Sequence, residues 1–448
     1  MSSLSPVEHK LHRCLIFVGT AICCGMIVIG SLCPKLCQYL RVLFCTDSKN
    51  GENMSKNPFC LGLFTLISLI LAACNGGTPV AEIATDIPKV TSSGYACPDP
   101  EFPMEVTSTE LNLFVWTEYV PVEMMECFEL VYGVKVHREE YSSDEGLYGG
   151  VSGGGSKYDL ILPSDYIAAR IAREGLLQEL DHTKLPVLKN FNPNYLDFEF
   201  DPGNRYTIPY LIGTDAIVVN TDRVQTIPQS WADLWNPEYA GRLIFLDDAR
   251  AVIGITLLSL GYDLNTTNPT QLEEARKKMI ELVPNIKLFD SDSPKTAILA
   301  DAVDLGMTWT GEAFIAHQGN PNIDFVFPTE GVILWQDNWA LLKDAQHSDA
   351  AYAWLNYINQ GNIFWMVLRD FPYINPNQAA LDFAKDNQMK VTDVNGDETT
   401  LAAFYDAYMS SPITNVPAGV INKGHRISDV GEATSLYDEI WSEVRDGQ

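Results

Sequence analysis

From Glu110 to the C-terminus, short apolar runs of strand length alternate with stretches of helical periodicity, and no feature constrains the fold more. Leu111–Trp116 reads as a strand. Pro121–Tyr132 reads as a helix, with Pro in its first turn and Gly133 just beyond its end. Val134–His137 alternates with the period of a strand; Tyr158–Pro163 is another, before a helix from Tyr166 that stops at Gly175. The pattern returns at Ala216–Val219, Arg242–Leu246, Leu305–Trp309, Ile323–Phe327 and Val332–Leu334, and the C-terminal third is mostly helical. Such alternation predicts an α/β fold, and its extent predicts two lobes. In sheets of this kind, ligands sit beyond the carboxyl ends of the strands.

Those strand ends carry the informative side chains. Trp116-Thr-Glu-Tyr119 follows the first strand, Ser164-Asp-Tyr166 follows Leu160–Pro163, and Asp247-Asp248 follows Leu243–Leu246. Trp309-Thr-Gly-Glu312 and Trp335-Gln-Asp337 close two more. A single Trp at a strand end is ordinarily core; five successive strand ends with an aromatic, an acid or both point to a site. Rings and carboxylates suit an ammonium group. Each ring offers a cation–π attraction of about 0.5–2 kcal/mol. A carboxylate near 4 Å from an amine contributes roughly 4 kcal/mol at an effective dielectric near 20, before desolvation. Several such groups along a slot would select a linear polyamine over a monoamine by the spacing of its charges.

Charge is compatible with this chemistry. Beyond residue 73 the chain holds 24 Lys and Arg against 55 Asp and Glu, which disfavours a nucleic-acid partner. An acidic surface more commonly serves solubility, so the charge alone identifies no ligand. With 46% hydrophobic and 20% charged residues, general disorder is excluded.

The N-terminus reads as targeting sequence. Cys14–Cys33 is an uncharged run long enough to span a bilayer. A second apolar run, Phe59–Ala73, follows Met54-Ser-Lys-Asn and ends in Leu71-Ala-Ala-Cys74. Small residues before a Cys resemble the lipobox of bacterial lipoprotein signal peptides, which implies cleavage before Cys74 and lipid attachment to it. Residues 54–73 are then the signal peptide, and residues 1–53 an extension upstream of a true start at Met54, rather than a second membrane segment. Residues 74–109, rich in Gly, Pro, Ser and Thr, read as a lipid-anchored flexible tether. Of ten Cys, only Cys97 and Cys127 lie beyond Cys74, and in an exported chain these two are available to pair. No Cys/His cluster of metal spacing follows, so no metal is expected.

From Leu111 to the C-terminus, the chain resembles the substrate-binding proteins of bacterial ABC importers for spermidine and putrescine. The resemblance rests on Ser230-Trp-Ala-Asp-Leu-Trp235 with Pro237-Glu-Tyr239 and Gly241, on Asp247-Asp-Ala-Arg250, on Leu258-Ser-Leu-Gly-Tyr262 and on Asp429-Val-Gly431. It implies a two-lobed type II periplasmic-binding-protein fold, with 110–213 plus 337–375 as one lobe and 214–336 plus 376–448 as the other. It implies capture of a polyamine between the lobes, delivery to an ABC transporter permease, an extracytoplasmic location and no cofactor. By motif, Trp116 and Tyr119 wall the slot with Glu118 near a terminal amine, and Ser164 and Tyr166 lie at the same end. Asp248 faces an amine from the other lobe, Trp309 and Trp335 sandwich the aliphatic chain, Asp337 is the central acid, and Tyr373 lines the far wall. Ala251 and Ile427 stand where the spermidine-type pattern has Glu and Gln, while Glu312 stands where putrescine-type members carry Asp. Which polyamine is bound is left open. Asp165 is a further candidate acid, read as a surface residue slightly ahead of a ligand contact.

Competing motifs are weaker. In Gly149–Lys157 the glycines precede a strand, so a flexible loop is expected rather than a phosphate loop. Asp393–Glu398 reads as an Asn-Gly turn rather than a calcium loop. No nucleophile or zinc-protease motif is present, so no enzyme is expected; a carboxylate-dependent hydrolase and a sensory lipoprotein with the same cleft are the alternatives.

Overall fold

The computed structural model describes residues 89–153, 157–393 and 396–446. The apolar N-terminal stretches, the Leu71–Cys74 motif and the first part of the expected tether lie outside the described residues. Among the described residues no helix is long and apolar enough to cross a membrane.

The strands are β1 (Glu110–Trp116), β2 (Lys135–Tyr141), β3 (Leu160–Ile161), β4 (Thr207–Asn220), β5 (Leu243–Phe245) and β6 (Ile286–Phe289). They continue with β7 (Leu305–Trp309), β8 (Ile323–Val326), β9 (Ile333–Leu341), β10 (Lys390–Thr392), β11 (Glu398–Thr400) and β12 (His425–Arg426). The main sheet runs β2-β1-β3-β9-β4-β7-β5-β6, with β8 added to β4 and β12 to β9. β1 lies parallel to β2 and β3, and β5 parallel to β6 and β7, as helix-connected strands should. β4 and β9 run antiparallel to each other through both halves. The carboxyl end of β9 pairs with β3, its amino end with β12, and Asp215–Val219 of β4 pairs with β7. This makes a two-lobed α/β fold in which two long strands pass from lobe to lobe.

β4 extends well beyond the predicted Ala216–Val219. Every one of its residues is buried, so it reads as a continuous run with no two-residue alternation to mark its start. Pro209, which lacks an amide donor, sits where the β4–β9 register shifts between Pro209 and Leu211. The predicted helix is Val122–Tyr132, closed by Gly133 at φ 70°, whose N–H donates to the Glu129 carbonyl.

Two local expectations need correction. Gly149 and Gly150 belong to the helix Asp144–Val151 rather than to a loop, and a Cβ at Gly150 would lie 2.7 Å from the Phe114 ring. Lys89–Thr109 is held against the body rather than free. The Tyr95 hydroxyl donates to the Asn362 carbonyl at 2.6 Å, Tyr357 donates to the Pro98 carbonyl at 3.0 Å, and Thr107 and Ser108 bind Asp349. Its polar composition hides a few apolar anchors, Tyr95, Cys97, Met104 and Val106, that pack on the core. A disulfide joins Cys97 to Cys127 in the helix Val122–Tyr132. The β10–β11 hairpin encloses the expected turn, closed by the Gly396 N–H donating to the Asp393 carbonyl; Val394 and Asn395 lie outside the described residues.

Candidate functional site

One narrow cavity collects the predicted side chains. It leaves about 70 Å³ for the centres of water-sized spheres, and Trp116, Glu118, Tyr119, Ser164, Tyr166, Asp248, Trp309, Glu312, Trp335, Asp337 and Tyr373 all line it. The topology explains the convergence: β1, β3, β5 and β7 each end there, and β9 crosses it.

Aromatic rings form the walls. Trp335 meets Tyr373 edge to face at 5.2 Å between centroids, and Trp116 meets Trp309 at 6.3 Å. Tyr119 lies 5.9 Å from Tyr373 and 5.6 Å from Phe371. Two glycines make room for these rings. A Cβ at Gly213 would come within 2.1 Å of the Trp335 ring, and one at Gly311 within 2.5 Å of the Tyr373 ring.

Eight carboxyl side chains line the cavity, with no Lys or Arg among the lining residues. The Tyr119 hydroxyl donates to Asp337 at 2.8 Å, the Trp335 indole N–H donates to Asp215 at 2.8 Å, and the Ser164 hydroxyl donates to Asp144. Asp248 caps the helix Ala249–Ser259 by accepting the Ala251 N–H at 2.9 Å. Burial pushes the Asp337 carboxyl up to about 8, and raises Asp144 and Asp215 well above the carboxylate range. Burial raises Asp248 as well, and raises Glu312 against the opposing pull of Lys295. A cation brought among such groups would reverse the shift, because it stabilises the ionised form.

Three acids behave differently from the rest or from expectation. Asp165, expected at the surface, is 2% exposed and accepts from Arg426 at 2.8 Å. Burial holds it up at about 6 even so. Glu118 and Glu312 share Lys295, at 3.5 and 3.1 Å.

Asp144 and Asp215 escaped the sequence reading. Asp144 sits after Ser143, whose side chain caps its helix, and so looks like an ordinary acidic first turn. Asp215 had a usable signal: a carboxyl inside an apolar central strand is costly to bury without purpose. Ile427 lines the cavity, whereas Ala251 is buried outside its lining. Among the described residues, no group of three or more His, Cys, Asp or Glu is placed to hold a metal ion.

Residues 123–392 match the family model of the bacterial extracellular solute-binding proteins. The spermidine/putrescine-binding periplasmic protein of Escherichia coli (strain K12) is 36% identical over 340 residues, which cover 75% of this chain and 92% of the relative. The substrate-binding protein PotD of the spermidine/putrescine ABC transporter of Streptococcus pneumoniae is similar in structure, with a TM-score of 0.60 and 30% identity. That match covers 76% of this chain and 99% of the other. The TpPotD lipoprotein of Treponema pallidum superposes with a TM-score of 0.62 at 26% identity, over 75% of this chain and 99% of that one. The chain belongs to the bacterial extracellular solute-binding proteins, the family in which spermidine/putrescine-binding periplasmic proteins are its relatives.

Proposed function

We propose that this protein captures a polyamine, spermidine or putrescine, between its two lobes outside the cytoplasm and delivers it to the permease of an ABC importer. The observation that carries this reading is the cavity itself: eight carboxyls and seven aromatic side chains, with no lining Lys or Arg. Ammonium groups would satisfy the acids, and methylene segments would lie against Trp335, Trp309 and Tyr373. In this role Trp116, Tyr119, Ser164, Tyr166, Asp248 and Asp337 are ligand-binding residues, Asp144 and Asp215 join them, and Glu118 and Glu312 line the slot where Lys295 already pairs with both.

The lobe division expected at 213/214 and 336/337 falls within β4 and β9, the strands that pass between the lobes. Bending there would open the slot, and a ligand touching both lobes would favour the closed form by its difference in affinity for the two states. Ion pairs already span the cleft, Arg426 with Asp165 and Lys295 with Glu118.

Cys74 is the lipid-attachment residue in this reading, with residues 54–73 removed as signal peptide. Two signals or several acyl chains hold a protein on a membrane where one chain is marginal. Cys74→Ser should move the protein from the membrane to the soluble fraction of cells and abolish labelling by a palmitate analogue; an unchanged distribution would remove the anchor from the proposal.

The binding reading is tested by titration calorimetry with spermidine, putrescine and a divalent metal ion as control. One-to-one heat with a polyamine and none with the metal is expected. Absence of heat with both polyamines would overturn it.

A further inference from the structure

The geometry points to Lys295 as a built-in ammonium group that, from just outside the lining, engages two acids at one end of the slot and restricts the ligand to a short diamine. This rests on the polyamine reading above. Lys295 stands in the first turn of the helix Pro294–Leu299. Its Nζ lies 3.1 and 3.2 Å from the two Glu312 carboxyl oxygens, 3.5 Å from Glu118 and 3.1 Å from the Ser293 hydroxyl. Glu312 follows β7 and Glu118 follows β1, so the two acids come from opposite halves of the sheet and both line the cavity. Glu118 is held at φ 52°, a backbone region non-glycine residues seldom occupy, and its side chain is 62% exposed, which puts this end at the mouth.

A primary ammonium on a flexible aliphatic stem is chemically the end of a polyamine. Lys295 therefore occupies the countercharges that a ligand ammonium would use at the mouth, and a second ammonium arriving there would meet a like charge. The other end is unlike this. Asp144, Asp215, Asp248 and Asp337 have no Lys or Arg within ion-pair distance among the described residues. The electrostatic field of each reaches others of this group, so they form one connected cluster. Ligand ammonium groups are thereby drawn to the inner end, and a longer triamine is left with its last charge facing Lys295.

The test is calorimetry on the full-length protein in detergent, comparing 1,4-diaminobutane (putrescine) with spermidine for the wild type, Lys295→Met and Lys295→Arg. Met keeps the apolar stem and removes the charge, and thermal melting of each variant checks that it folds. Wild type should prefer the diamine, and Lys295→Met should shift the affinity ratio toward spermidine by about tenfold or more. Lys295→Arg should bring the ratio back toward wild type. A ratio unchanged within about twofold in Lys295→Met, or an equal shift in Lys295→Arg, overturns the assignment while leaving polyamine binding in place. Wild type that binds neither compound overturns the polyamine reading and this inference together.

Discussion

The Tyr119 hydroxyl donates to Asp337 at 2.8 Å, joining the turn after β1 to the middle of β9 across the cavity. No Lys or Arg pairs with Asp337 among the described residues, and the residue is 6% exposed. A buried carboxyl with a single neutral donor is poised for an external cation. Asp337→Asn should therefore weaken polyamine binding by about a hundredfold, or about 2.7 kcal/mol, measured by calorimetry at pH 8. Binding equal to the parent would place the ligand elsewhere.

Trp335 sets the shape of the slot through contacts on three sides: Tyr373, Asp215 and the bare backbone of Gly213. Trp335→Leu removes the ring and the donor to Asp215, and should cost about tenfold to a hundredfold in affinity with the fold retained. Gly213→Ala is the sharper probe. Its Cβ would lie 2.1 Å from the ring, so the ring must move although no binding side chain has been changed. Loss of affinity in both variants, with cooperative melting preserved, is the expected result; unaltered binding in Gly213→Ala would mean that the ring position does not matter.

The disulfide gives a prediction about stability alone. Cys97 and Cys127 are 30 residues apart, and their bond fastens Lys89–Thr109 to the helix Val122–Tyr132. Closing a loop of that length restricts the unfolded chain by about 3–4 kcal/mol. Cys97→Ser with Cys127→Ser should lower the melting temperature to the value seen in wild type under reductant, with polyamine affinity little changed. Coincident loss of affinity would tie this segment to the cleft.

How much of this was legible in the sequence follows from what each signal depends on. Trp116, Trp309, Trp335 and Asp337 were visible because an apolar run followed by a ring or an acid is a local pattern, although the expected strand end at Trp335–Asp337 is instead the interior of β9, whose buried polar residues hid its continuation to Leu341. Asp215 and Asp144 were not, since one hides within the apolar strand β4 and the other reads as an acidic helix start. Lys295 was invisible for a different reason: its meaning comes from Glu118, 177 residues away, and only folding brings the two together. The docking of Lys89–Thr109 likewise depends on partners in the helices Ser348–Ile358 and Gly361–Asp370 that no local composition reveals.

Burial holds the Asp337 carboxyl at about 8 in the empty cavity, far above the ordinary range near 4. Because the folded value is raised, its contribution to stability is full below about pH 4 and is lost as pH rises through about 8. The empty protein should therefore melt at a lower temperature at pH 8 than at pH 6, and Asp337→Asn should reduce that difference. Ligand reverses the sign. An ammonium beside Asp337 favours the ionised form, so binding at pH 6–7 must release a proton, and affinity should rise by up to about tenfold per pH unit until about pH 8. Calorimetry at pH 6.5 in two buffers of different ionisation enthalpy would count that proton directly. Release of about one proton, abolished in Asp337→Asn, is expected from the linkage. Binding heats identical in both buffers would show that the ligand's charge does not reach Asp337.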